Sequence, residues 1–453
     1  MFWIRWKSST ERLYRDTAPG WYLAGVMRIP KHLPATLLAV ALLAAACTSA
    51  ADETTTSVAP TTAAPTTTTT TQPPSEPGDE LNLVLMWHQH QPLYPKDAEG
   101  FVSRPWLRVH ATKDYYDMAA TVAEYPDVHV TFNLTPVLMR QIEELNKGTK
   151  YIYWAMTEIT ADELTDEERT FIIDRFFDTN ARIVARFPRY QQLIDKRDRP
   201  NRFSTTDIRD LQVLFNLAWT DPSFLSEEPL AGLVEKGRDF TEEDKAVVLA
   251  EHERIIAAIL PLHSQLWEAG PIEVTTTPLA HPILPLIADT DLATVGDPTG
   301  LLPANRYRKP TDALDQVALG LDEAERLLGR RPVGMWPGEG SVAQDIMGMF
   351  SSSGVSWVAT GEDVLAKTLD VGTFTRGDND LVDDPEALYA MHRASLNRQD
   401  DVPMFFRDDL LSDLIAFEYS GTDADIAADD FMRRLADIDE ALGDGDPGQP
   451  KVV

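Results

Sequence analysis

The sequence predicts an α/β domain: a parallel sheet flanked by helices, either closed as a barrel or open and doubly wound. Three observations predict it. Short apolar runs read as strands, amphipathic helical patterns alternate with them, and turn residues separate the two. The runs over 81–86, 128–134, 272–276, 355–360 and 402–406 are apolar enough to be covered on both faces, as parallel strands are. Helices are expected over 137–145, where Thr135-Pro136 supplies the start, over 313–328 and over 425–442, and Gly354 ends the helix before the fourth run. The stretch 151–269 breaks this rhythm with helical patterns over 162–177, 207–217 and 241–267. An insertion that large between two strands is expected on the loop face, as a helical lid over the site. Lys451-Val452-Val453 begins one more strand, so the domain, 80–453, is expected to be truncated at its C-terminal end.

The first eighty residues are expected to be address and tether. Arg28, Lys31 and His32 precede an apolar run that ends at Cys47, a signal segment over 1–47 too short to span as a stable helix, with Met27 a plausible true start. Cys47, the sole cysteine, can form no internal disulfide. Following Ala44-Ala45-Ala46, it resembles the lipidated cysteine of a bacterial lipoprotein, although Ala44 stands where Leu is usual; plain secretion with an incidental cysteine stays open. The Thr/Pro-rich stretch 48–79 buries too little apolar surface to offset its ordering entropy and reads as a disordered linker. The net charge of −31 argues against nucleic acid or anionic lipid as partner of the folded domain. A neutral polysaccharide suits it, and the membrane enters only through the signal or an anchor.

The residues that carry chemistry gather at predicted strand ends. Glu339 follows the apolar run 333–336, broken by Pro337-Gly338, and Ser341 with Gln344 reads as a capping box opening a helix over 342–350. A carboxylate on such a strand-to-helix loop, beside Trp336 that could stack on a sugar, sits where α/β barrels keep their catalysts; a solvated loop glutamate is the plain alternative. In Trp87-His88-Gln89-His90-Gln91-Pro92, residues two apart face the same way, so His88 and His90 project together. They could ligate a metal, donate hydrogen bonds to a sugar, or be satisfied core histidines. The third run adds Glu273, expected to orient another polar group or to form a buried pair, and His281 beyond it. Arg407 beside Asp408 could hold that carboxylate ionised.

Five segments in order resemble glycoside hydrolase family 57: His88 to Pro92, Pro105-Trp106-Leu107-Arg108-Val109-His110-Ala111-Thr112-Lys113-Asp114-Tyr115-Tyr116, Glu273 to Pro282, Trp336 to Ser341, and Phe406 to Phe417. The resemblance spans about Leu81 to Val453. It implies an incomplete (β/α)7, TIM-like barrel and a retaining enzyme acting on α-glucans, as amylases, amylopullulanases, glucanotransferases and branching enzymes do. It implies Glu339 as nucleophile, His88 and His90 as substrate-binding residues with Trp336, Glu273 and His281 beside them, and neither metal nor cofactor for the chemistry. Gly338 departs from a frequent Ala and Ala280 from a frequent aromatic. A retaining enzyme needs an acid/base about 5–5.5 Å from the nucleophile. In the relatives that aspartate lies in a Leu-Asp-Gly-Glu-Asn segment on a strand beginning much like Lys451-Val452-Val453, beyond the last residue here. Asp408 is the nearest candidate within the chain. Two other readings stay open: a metal-dependent deacetylase or amidohydrolase using His88 and His90, and a surface glucan-binding lipoprotein without catalysis.

Overall fold

In the computed structural model, residues 81–395, 401–443 and 450–453 are described. The expected signal segment, Cys47 and the Thr/Pro-rich linker lie outside them. The strands are β1 (Leu81–Asn82), β2 (Met86–Gln89), β3 (Val130–Leu134), β4 (Ile272–Thr275), β5 (Gly334–Met335), β6 (Trp357–Gly361), β7 (His392–Ala394), β8 (Val402–Arg407) and β9 (Lys451–Val452). β2, β3 and β4 pair in parallel, as do β5, β6 and β8, while β7 lies antiparallel on β8. A parallel bridge from Thr276 to Met335 links the two sheets. Parallel neighbours require long crossovers, and helices such as Pro136–Asn146 and Pro310–Leu328 supply them. Thr135 starts the first of these by accepting from Leu138 N, with Pro136 in the first helical position. The molecule is thus α/β with mainly parallel strands. Among the described residues, no helix is long and apolar enough to cross a membrane.

Two local expectations are corrected. The run 81–86 is not one strand: β1 pairs in parallel with β9, and the ladder restarts at Met86. Val84 N still donates to Val453 O, whereas Leu85 O already accepts from Thr131 N. The chain changes partners between these two residues, and that change interrupts the strand. Nor do Ser341 and Gln344 form a capping box. Gln344 reaches away to Ser395 O, a 3₁₀ turn covers Gln344–Ile346, and the helix begins only at Met347–Ser352.

Strand alternation sorts the sheet into two faces. Phe132 and Val274 turn toward the helix Glu242–Ala269 and share a core with Ile256, Ile259 and Trp267. Asn133 and Thr275, paired across β3 and β4, turn the other way, toward the histidines. Helices fill 152–269, and the segment has a core of its own around Ile172, Phe176, Leu211 and Phe215. The long helix Glu242–Ala269 is opened by a Thr241–Asp244 capping box and closed by Gly270 at φ 105°. Val248, near its start, belongs to the inserted core and its second half to the sheet's, so this one helix ties the insertion to the strands.

Gly320 lies where the helix Pro310–Leu328 meets the chain beyond β4; an added Cβ would stand 2.4 Å from Thr277 O. Inside a helix, Ala normally gains about 1 kcal/mol over Gly. Overlap with a backbone carbonyl outweighs that gain, so Gly320→Ala is expected to destabilise the fold by about 1–3 kcal/mol. Urea denaturation checks it: the midpoint should fall.

Candidate active site

Three imidazoles meet at the ends of β2 and β4. His88 lies on β2 and His90 just past it, on the same side. His281 enters from the loop after β4, where the chain turns through a left-handed residue, φ 54° at His281 itself. The ring centroids of His88 and His90 lie 5.7 Å apart, those of His88 and His281 5.1 Å, and those of His90 and His281 4.4 Å. Asn133 of β3 sets the tautomer of the first. Its Nδ2 donates to Thr276 O at 3.0 Å, which can only accept, so Oδ1 faces His88 Nδ1 at 2.7 Å. His88 Nδ1 therefore carries the proton, and Nε2 is left as an acceptor.

Burial lowers the pKa of all three. For His88 the Asn133 bond opposes the burial and Arg407 adds to it, although part of the residue is open to water. Burial and then His88 push His90 down to about 4. Burial, then His88 and His90, push His281 down to about 3. All three are consequently neutral at pH 7. His90 Nδ1 and His281 Nε2 are buried and have no hydrogen-bond partner. Buried polar atoms are ordinarily satisfied, so two orphans in one cluster mark a place shaped for a polar guest.

Glu339 closes the site on the β5 side. It occupies a 3₁₀ turn, Gly338–Gly340, with φ 55° and ψ 25°, a left-handed conformation uncommon for a residue with a side chain. Its carboxylate Oε1 lies 3.6 Å from His281 Nδ1, while the side chain remains 62% exposed. It faces the imidazoles and open solvent together. Gly338 holds the turn in place: a Cβ there would come 2.2 Å from Pro282 O. The alanine frequent in relatives would not fit this approach, and its absence is a packing requirement of this chain. Gly340, at φ 66°, lets Trp336 lie against it, and its carbonyl accepts from Thr360 Oγ1.

Other expected residues are placed differently. Trp336 lies 6.4 Å from His88, and the Arg407 guanidinium sits 5.7 Å from its ring centroid. At 8% exposure it is a wall of the cleft and not an open platform for a sugar. Glu273 lies apart from the histidines. Its register partner is Thr131, whereas His88 and Thr275 both pair with Asn133, so Glu273 sits two residues, roughly 7 Å, deeper along the strands. There it accepts from Trp357 Nε1 at 3.3 Å, across Gly334, which has no side chain to block the indole. Asp408 is engaged by its neighbours. It is 4% exposed, caps the helix Asp409–Asp413 through Leu411 N at 2.8 Å, accepts from Tyr389 Oη at 2.7 Å, and is paired with Arg376 at 3.0 Å. Arg407 turns to Asp409 instead, at 2.7 Å, because neighbours on an extended chain point to opposite sides. Asn133 is a site residue that the sequence reading does not single out; a lone amide inside the apolar run Val130–Leu134 is the available signal.

The arrangement offers neutral imidazoles that can exchange hydrogen bonds with hydroxyls, beside a carboxylate able to attack an electrophile. One nitrogen from each of the three histidines also lies within 4.8 Å of the others, close enough to suggest a metal ion.

Two outcomes test these placements. Removing a partner from a buried ion pair costs about 3–5 kcal/mol, so Asp408→Asn should lower the stability measured by urea denaturation by that order. An acid/base residue would instead lose turnover with stability intact. Burial raises the pKa of Glu273, with the Trp357 bond opposing. Its folded pKa thus exceeds its unfolded one, so its contribution is full below the unfolded value and is lost as pH rises through the folded one. Glu273→Gln keeps an acceptor for Trp357 and removes the charge. It should match the wild type near pH 4 and exceed it in stability at pH 8, by thermal melting.

A family model described as glycosyl hydrolase family 57 matches residues 84–453. Among solved structures, the α-amylase AmyC of Thermotoga maritima is similar at 15% identity and TM-score 0.39, covering 74% of this chain and 47% of that one. The 4-α-glucanotransferase of Thermococcus litoralis matches at 14% identity and TM-score 0.40, over 82% of this chain and 32% of that one. A family 57 branching enzyme of Pyrococcus horikoshii matches at 12% identity and TM-score 0.40, over 82% and 62%. The chain thus spans less than two thirds of the length of each of these proteins. No curated protein matches it. With its matched region running from Val84 to Val453, the chain belongs to glycosyl hydrolase family 57.

Proposed function

We propose that this chain carries the catalytic nucleophile of a retaining glycoside hydrolase or transglycosylase acting on α-glucans. The observation that carries this reading is the position of Glu339: a solvent-open carboxylate held by Gly338 beside His281, in a cleft lined by His88 and His90. The parallel strands and crossover helices are compatible with the incomplete (β/α)7 barrel that the family resemblance implies, and β4 and β5 carry the His281 and Glu339 loops beyond their C-terminal ends.

In the proposed reaction the imidazoles orient the sugar. His88 accepts a hydroxyl proton at Nε2, and the buried nitrogens of His90 and His281 meet further hydroxyls. Glu339 attacks the anomeric carbon and forms the glycosyl-enzyme ester as the leaving oxygen takes a proton from a carboxylic acid. Water gives hydrolysis of that ester, and a sugar hydroxyl gives transfer. Asp408, engaged by Arg376 and Tyr389, is not assigned the acid role. The reading leaves that role to another carboxylic acid.

Export is part of the same proposal. The segment 1–47 would direct the chain out of the cell, Cys47 would be lipidated at the outer face of the membrane, and 48–79 would hold the domain off the bilayer.

In the full-length protein, Glu339→Gln should lower turnover on an α-glucan by roughly 10⁴-fold or more, with circular dichroism unchanged. With Glu339→Gly, added azide should restore turnover and release a glycosyl azide of inverted anomeric configuration. Turnover by Glu339→Gln at the wild-type rate would sink the assignment.

A further inference from the structure

We propose that His88, His90 and His281 form a binding site for one divalent transition-metal ion of the zinc or cobalt type. This goes beyond the glycosidase reading, which asks nothing of a metal. Three observations carry it. The three histidines present one donor nitrogen each, all within 4.8 Å of one another. Tetrahedral nitrogen ligands 2.0–2.1 Å from zinc stand about 3.3 Å apart, so the nitrogens would draw together by up to about 1.5 Å around an ion.

The second observation is the partner of His88. Metal-bound histidines commonly give their other ring N–H to a fixed acceptor, which sets the tautomer and aims the free nitrogen. Asn133 does this for His88: it is itself buried and locked to Thr275 and Thr276, and it leaves Nε2 for the ion. The third is the pair of orphan atoms, His90 Nδ1 and His281 Nε2, buried in one cluster with no acceptor or donor to meet them. A metal ion satisfies an imidazole lone pair in the absence of a donor hydrogen.

Ligand type selects the ion. Three imidazoles suit zinc, cobalt, nickel or copper, whereas magnesium and calcium prefer oxygen shells. The carboxylate of Glu339, with Oε1 3.6 Å from His281 Nδ1, faces the ring nitrogen that the ion leaves free, so it orients the imidazole and water completes the shell. An ion seated there occupies the nitrogens that the proposed reaction uses. Bound metal should therefore inhibit turnover in competition with glucan, and this last consequence alone rests on the glycosidase reading.

The test is titration of the metal-stripped full-length chain with Co²⁺, read by visible absorption. One Co²⁺ per chain should bind, with the intense bands of a four-coordinate ion, and Zn²⁺ should displace it. His90→Gln and His281→Gln should each weaken binding at least tenfold, and Glu339→Gln less. X-ray absorption of the zinc-loaded wild type should find three imidazole nitrogens at about 2.0–2.1 Å, a reading that needs no variant to fold. No saturable cobalt bands, affinity unchanged in both histidine variants, or a shell of oxygens alone would each overturn the proposal. None of these readouts depends on turnover, so a failed glucan assay and a failed metal titration are distinguishable.

Discussion

The candidate site depends on one close approach, the backbone of Gly338 against the carbonyls of His281 and Pro282. Nothing larger than hydrogen fits between the two loops. This contact carries the turn after β5 onto the loop after β4 and brings a carboxylate and an imidazole, 58 positions apart in the chain (339 less 281), to 3.6 Å. Both residues pay in backbone strain, each at a positive φ near 55°. Such conformations persist only where the surroundings over-determine them. Here Gly338, Gly340 and the Thr360 bond to the Gly340 carbonyl supply the determination.

Around that contact the molecule separates two kinds of polar group. Buried Asp408 pairs with half-buried Arg376, and Tyr389 and Leu411 N take up the remaining oxygen lone pairs. Their polar atoms are taken up by one another. The histidines are the reverse. Desolvation keeps them uncharged, and two of their nitrogens have no protein partner. An uncharged, incompletely satisfied cluster beside an accessible carboxylate suits a polyhydroxylated neutral ligand, and the same unsatisfied nitrogens suit a soft cation.

The inserted helices contribute stability through a core of their own, joined to the sheet by Glu242–Ala269. That long helix stacks His263 and Ile259 on the outer side of β3 and β4, while the inner side of the same strands carries Asn133 and Thr275. The register that aims Asn133 at His88 is thus held from behind by apolar packing, since a slip of one residue would exchange the two faces.

By itself the sequence determined the elements whose signals are local. Apolar runs and Thr135-Pro136 marked the strands and the helix start, and the period of two put His88 and His90 on one side. The pattern of segments from His88 to Phe417 indicated the family. Only the tertiary structure decided what depends on partners far along the chain. It split the first run where Val84 and Leu85 turn to different neighbours, and it sent Gln344 to Ser395 instead of Ser341. It also set Glu273 beneath Trp357, bound Asp408 to Arg376, and gave His88 its tautomer through Asn133. Strand propensity and capping act over a few residues and are written in neighbouring letters. A carboxylate's role is set by which distant donor reaches it first, and that competition is resolved only when the chain is packed.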